Sequence, residues 1–292
     1  MHTPRIAIFY FSATGNCLAV ARALAEQVGG FPVAIRQELI GRPDAAISDL
    51  VGIVFPAYLA PLSGVPLIVE RFVRSINGMD SRRIFAVCTC GGYEIVNAVP
   101  ALRSFSRTVR ALGGRVFGQY SLRMPMNNLD YDHIPVPIER DASRILAKGE
   151  GRLRDIAIRV LAGRPARHQL WRSVVNVSLY PMYAVLRRSC IKALRLHAHE
   201  QANMALTFRQ LIPLTDRSIE VNDRCNGCGV CARVCPADNI RMIDQRPTWG
   251  GTCEMCFACD EWCPRGAVRH WGREEGRKYH HPGVTLRDMT AN

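Results

Sequence analysis

The sequence predicts an α/β fold: a doubly wound, parallel five-stranded sheet, then a helical connector, then a small α+β cysteine-rich domain. Three observations predict it. Strand-length apolar runs alternate with helical patterns from Ile6 to about residue 126. Positive charge collects in a middle segment. Eight of the twelve cysteines fall between Cys225 and Cys263, in two copies of one spacing. The expected domains are 1–128 for the sheet, 129–214 for the connector, 215–271 for the cysteine-rich domain and 272–292 for a tail.

The first strand is read from RIAIFYF, where Ile6, Ile8 and Tyr10 alternate with Ala7, Phe9 and Phe11 in an unbroken apolar run, as in a strand buried on both faces. Leu18, Ala21, Leu24, Ala25 and Val28 then follow at helical spacing, and Gly29 and Gly30 close the helix. A short strand near Pro32–Arg36, a buried strand ending at Phe55, a strand over 83–88 and a last one in RVFGQYSLRMP complete five. Strands alternating with helices give a doubly wound sheet. In such sheets ligands bind beyond the carboxyl ends of the strands, which puts the loops 12–17, 56–64 and 88–93 on the functional edge.

The first of these loops reads SATGNC. Small and hydroxyl residues between a buried strand and a helix N-terminus form an anion site. Amide N–H groups converge there, the helix dipole favours negative charge, and Ser12 and Thr14 add hydroxyls. Neither G-x-x-x-x-G-K-[ST] nor G-x-G-x-x-G is present. An ordinary strand–helix turn is the alternative.

The net charge of +13 is uneven: residues 131–210 carry 14 basic and 6 acidic side chains, whereas residues 211–292 carry 11 of each. Nearly all the cations are arginine, which suits anionic surfaces. Residues 140–168 are charged and helical in pattern. Trp171, Val174, Val175, Leu179 and Met182 form an apolar stripe, which Pro181 should kink or interrupt. Leu186, Cys190, Ala193 and Leu194 then oppose Arg188, Lys192 and Arg195. One reading is a core-facing connector with a solvated basic face. The other is a surface that docks on a membrane leaflet or an acidic partner. Charge alone is weak support for nucleic acid. No signal peptide or bilayer-length apolar run is seen, so the expected location is cytoplasmic.

The cysteine-rich segment contains Cys225, Cys228, Cys231 and Cys235 before Pro236, and Cys253, Cys256, Cys259 and Cys263 before Pro264. Both copies read C-x2-C-x2-C-x3-C-P, the bacterial ferredoxin run. Zinc sites favour two C-x2-4-C pairs, and a clustered spacing does not suit a disulfide framework. Three thiolates spaced by three cap three irons of a cubane. In the two-cluster arrangement the fourth ligates the other cluster. That assigns Cys225, Cys228, Cys231 and Cys263 to one [4Fe–4S] cluster and Cys253, Cys256, Cys259 and Cys235 to a second. Gly227 and Gly229 suit a backbone wrapped on a cluster.

With both halves in view, the chain resembles the bacterial flavodoxin–ferredoxin fusion proteins, over roughly residues 4–126 and 219–271. Flavodoxins hold the FMN phosphate in a first loop of the form [ST]-x-T-G-x-[ST]. Ser12, Thr14, Gly15 and Asn16 match it, and Cys17 stands where a hydroxyl residue is usual. The resemblance implies FMN and two [4Fe–4S] clusters as cofactors. It also implies that Pro56, Ala57 and Tyr58 on one loop and Cys90, Gly91, Gly92 and Tyr93 on another lie beside the flavin ring. The expected function is electron transfer between clusters and flavin, with a redox partner protein as donor or acceptor. The alternatives are a flavin-dependent reductase of a small substrate fed through the clusters, and a redox sensor that docks on a membrane or partner. Cys88 reads as a small buried thiol. His197, His199, His280 and His281 read as solvated loop residues. Asn127 or Asn128 would approach the flavin.

Overall fold

The computed structural model describes residues 6–42, 50–127, 142–164, 178–271 and 278–290. The chain divides into two compact units. The first is Met1–Ser12, Asn16–Met126 and Pro137–Tyr183; the second is Ala13–Gly15, Asn127–Val136 and Ala184–Asn292.

The first unit contains β1 (Ile6–Tyr10), α1 (Asn16–Val28), β2 (Phe31–Ala34), β3 (Leu50–Pro56), α2 (Leu67–Arg74), β4 (Arg83–Cys90), α3 (Ala98–Ala111), β5 (Arg115–Arg123) and α4 (Ala142–Leu161). The strands are all parallel, in the order β2-β1-β3-β4-β5. That 2-1-3-4-5 order is the flavodoxin-like one. The apolar runs follow from it, because a parallel sheet is covered on both faces. On one face Phe9 meets Phe72 and Phe55 stacks on Phe105, at ring separations of 4.7 and 5.3 Å.

Residues 142–161, the first helix of the expected connector, cover the other face. Ile145, Gly149, Leu153, Ile156, Ala157 and Val160 recur at three- and four-residue steps and are buried. Four of them share a core with Ile8, Val20, Leu24, Phe85 and Leu122. Each large aliphatic side chain buried there contributes roughly 2 kcal/mol, and the charged residues face away. Of the described residues in the segment expected as one connector, 129–214, those at 142–164 and 178–183 go with the first unit and those at 184–214 with the second. The apolar residues at 171–177 lie outside the described residues. The next helix, α5 (Tyr180–His197), carries Pro181 in its first turn, where no N–H is required.

In the second unit, α6 (Phe208–Leu214) opens on a reciprocal cap between Thr207 and Gln210. Two small antiparallel ladders follow: β6 (Glu220–Val221) with β9 (Val268–Arg269), and β7 (Ile240–Ile243) with β8 (Arg246–Trp249). One-turn helices α7 (Val230–Val234) and α8 (Ala258–Glu261) lie between them in sequence. Within the segment expected as a tail, 272–292, residues 278–280 pack into this unit. Lys278 Nζ donates to Cys263 O, Tyr279 N donates to the buried Glu261 Oε2 at 3.0 Å, and His280 stacks on Trp262 at 3.7 Å. α9 (Leu286–Thr290) ends the described chain. Two expected loop histidines are therefore ring partners: His280 on Trp262, and His197 on Trp271 at 3.9 Å. No helix among the described residues is long and apolar enough to cross a membrane.

Candidate cofactor site

The two cysteine runs fold as repeats down to backbone conformation. In the first copy Gly227, Gly229 and Asp238 have positive φ, at 71°, 69° and 50°. In the second, Met255, Phe257 and Gly266 stand at the equivalent positions with φ of 53°, 64° and 56°. Each copy therefore bends the left-handed way at the same three points. The second copy does so twice without glycine, at roughly 1–2 kcal/mol per residue. The residues also differ in what surrounds them. A Cβ on Gly227 would lie 2.7 Å from Gln245 Cβ, whereas one on Gly266 would meet nothing within 4 Å. Gly266→Ala should then cost only the backbone term, about 1 kcal/mol, and Gly227→Ala distinctly more, about 3 kcal/mol. Chemical denaturation of the two variants checks the ranking.

This backbone gathers the cysteines in crossed fours. Cys225, Cys228, Cys231 and Cys263 line one small cavity, walled by Met242, Pro264, Ala267 and Val268. The thiols of Cys253, Cys256 and Cys259 lie close enough to Cys235 for its charge to disfavour theirs. The crossing has a simple cause. Cys231 lies in α7 and Cys235 caps its far end in extended conformation, so one helical turn, about 5.4 Å of rise, separates them. Cys259 lies in α8, and Cys263 follows Trp262, the residue that caps its end.

The donor set suits a bound iron–sulfur group. All twelve cysteines are free thiols. Burial pushes Cys253 up to about 12 and Cys231 to about 11, so neither ionises unaided at neutral pH. A ligated cation deprotonates such thiols outright. Amides already point at three of the sulfurs: Met255 N at Cys253 and Ala267 N at Cys263, both 3.2 Å, and Asn239 N at Cys235, 3.4 Å. Such bonds favour the more negative, reduced state and raise the potential. Among the described residues no three His, Cys, Asp or Glu side chains converge as on a single ion. Thiolates around a cubane stand further apart than the ligands of one ion.

A polar brace absent from the sequence reading holds the second run. Asn239 Oδ1 accepts from Gly250 N, Thr252 N and Thr252 Oγ1 at 2.8–3.0 Å, while its Nδ2 donates to Asp216 Oδ2. That carboxylate also accepts from Gly251 N at 2.9 Å. Asp216 and Asn239 are both buried. They fix the three residues that lead into Cys253. Trp262, inside the second cysteine run, was also missed, although an aromatic between two ligand cysteines was a visible signal.

At the sheet edge, Ser12 Oγ is buried and makes no hydrogen bond. α1 begins at Asn16, so the amides of its first turn lack intrahelical acceptors. An orphaned hydroxyl beside a helix N-terminus suits an anion such as the FMN phosphate. Asn16 Nδ2 donates to Pro125 O at 2.8 Å. Cys17 turns its thiol to Thr89 Oγ1 at 3.2 Å, away from the loop surface. Within the second unit, Ala13 O accepts from Trp262 Nε1, Thr14 O accepts from His281 N, and Gly15 lies against Val284. Pro56, Ala57 and Tyr58 are half-buried; Ala57 N donates to Thr89 O, and Tyr58 N to Gly64 O closes its loop. In the next loop Gly91 abuts Met126, Gly92 is buried and Tyr93 is 57% exposed. Cys90 is buried with its thiol toward Gly92 O, and Cys88 is fully buried. Asn127 is half-buried, and Asn128 lies outside the described residues.

Burial pushes the thiols of Cys17 and Cys90 from an ordinary value near 9 up to about 12. The unfolded chain therefore releases those protons first. Stability conferred below pH 9 should be lost as pH climbs from about 9 toward about 12. Thermal melts across that range should fall steadily, and less steeply for Cys17→Ala.

A 4Fe-4S binding domain is recognised at residues 220–241. The chain joins a flavodoxin-like domain to a ferredoxin-like one. Its first unit has the flavodoxin-like strand order, and the 4Fe-4S binding match lies in its second. Among solved structures it is similar to oxidised flavodoxin 2 from Bacillus cereus, at 13% identity, covering 54% of this chain and 97% of that one with a TM-score of 0.39. Fusobacterium nucleatum flavodoxin bound to flavin mononucleotide is similar at 11% identity, covering 54% and 96%, with a TM-score of 0.37. The strand order, rather than these likenesses, carries the fold assignment. No curated protein matches the chain by sequence.

Proposed function

We propose that the chain is an electron-transfer iron–sulfur flavoprotein in which two [4Fe–4S] clusters exchange electrons with an FMN. The carrying observation is the gathering of eight free thiols into crossed fours. Cys225, Cys228, Cys231 and Cys263 hold one cluster, and Cys253, Cys256, Cys259 and Cys235 the other. When bound, the flavin supplies exchange between two-electron and one-electron steps, and each cluster carries one electron. The chain's own residues bind and tune. The Ser12 hydroxyl and the amides opening α1 take the phosphate, with Thr14 and Gly15 shaping the turn. Tyr58 and Tyr93, with Pro56, Ala57 and residues 90–92, flank the ring. Cys17 contributes its amide alone, since its thiol is committed to Thr89.

The partner is a redox protein with an acidic face. Arg188 and Lys192 are exposed on α5 together with Met182, Val185 and Leu196. Such a mixed basic and apolar surface gives salt-sensitive docking.

The test is anaerobic reduction of FMN-loaded protein by a mediator that reacts with flavin. Electron-paramagnetic signals of reduced clusters should grow as the flavin is reduced. Clusters that stay oxidised beside a fully reduced flavin, yet accept electrons from dithionite, would contradict the relay.

A further inference from the structure

A pocket of about 380 Å³ opens in the first unit between the turn at Gly92–Ile95, the end of β5 and the first half of α4. That volume is typical of small-molecule sites. Its apolar side is half-buried Ile95, backed by the buried Ile145 and Leu122. Arg123, Lys148 and Arg152 face it against one carboxylate, Glu94. Arg152 is oriented in advance, with Nη1 on Glu94 and Nη2 on Ser121 O at 3.0 Å. A guanidinium has five donors, so these bonds leave others for a ligand. Tyr93 stands exposed at the rim.

Gly149 adds an independent observation. It lies buried inside α4, where alanine is the better helix former. A Cβ there would meet nothing closer than Met124 Sδ at 3.9 Å. Packing therefore does not demand glycine. Its effect is to leave one wall of the pocket without a side chain.

We propose that this pocket binds a small planar organic anion of the aromatic carboxylate class. The carboxylate lies on Arg152 and Lys148, and the ring lies against Ile95, with Ile145 behind it. Arginine and lysine at the mouth of an apolar slot select a charged head on a flat apolar body. The pocket touches Gly92 and Tyr93 of the proposed flavin loop, but its ligand is distinct from the flavin and the proposal does not depend on flavin binding.

The test is a benzoate titration of the full chain, with and without FMN, read from the Ile145 methyl and Tyr93 ring resonances. Saturable shifts are expected in both states. Benzamide, uncharged and of the same shape, should bind about tenfold more weakly or less. Lys148→Ala should weaken benzoate several-fold, and Gly149→Leu should abolish its binding. If Gly149→Leu does not fold, Lys148→Ala and benzamide carry the test. Absence of saturation at about ten times a millimolar Kd would overturn the proposal. Inorganic phosphate binding as tightly as benzoate would overturn the planar ligand class. Loss of benzoate binding on adding FMN would show that the pocket belongs to the flavin and would overturn a separate site.

Discussion

Cys228→Ala combined with Cys235→Ala should strip the protein of nearly all its iron, while Cys235→Ala combined with Cys256→Ala should leave about four irons per chain. The reason is the crossing. Cys228 lines the cavity with Cys225, Cys231 and Cys263, whereas Cys235 lies with Cys253, Cys256 and Cys259. With the proposed ligand sets, the first pair of substitutions injures both clusters and the second injures one cluster twice. A chain in which each run held its own cluster would give the reverse. Cys228 is suited to this test because its side chain is exposed, so its loss leaves no buried cavity. Iron and acid-labile sulfide on anaerobically reconstituted protein decide between the two patterns.

Asn239→Ala should destabilise the cluster-binding unit by about 3 kcal/mol and speed loss of the second cluster. The substitution removes acceptors from Gly250 N, Thr252 N and Thr252 Oγ1 and a donor from the buried Asp216 carboxylate. Each buried group left unpaired costs about 1–3 kcal/mol. Because those amides immediately precede Cys253, the loss is local to one ligand run. Denaturation followed through cluster absorbance should show the midpoint falling. Cluster bleaching by a chelator should speed up in Asn239→Ala and stay near wild type in a surface control such as Arg241→Ala.

Much of this was legible in the sequence because its signals are local. An apolar run marks a buried parallel strand wherever its neighbours lie, so all five strands were found to within a few residues. The ligand spacing of Cys225–Cys235 is a property of one loop and one helical turn. What stayed hidden depends on partners distant in sequence. Residues 142–161 look charged because two-thirds of a surface helix faces water; only the sheet face it covers shows that it completes the fold. The tail gave no pattern of its own, since its place is set by Glu261, Trp262 and the Cys263 carbonyl. Asp216 and Asn239 are common loop residues whose pairing across 23 positions no periodicity announces. Cys17 departs from the hydroxyl usual at its phosphate-loop position, and only its bond to Thr89 shows where the thiol points.

The most direct test of the electron-relay account is composition. Protein purified without oxygen should be analysed for iron, acid-labile sulfide and extractable flavin per chain, with FMN added where none is retained. The account predicts about eight irons, about eight sulfides and one FMN per chain. Full iron with no flavin bound even after addition would contradict the relay, and zinc in place of iron would contradict the clusters themselves.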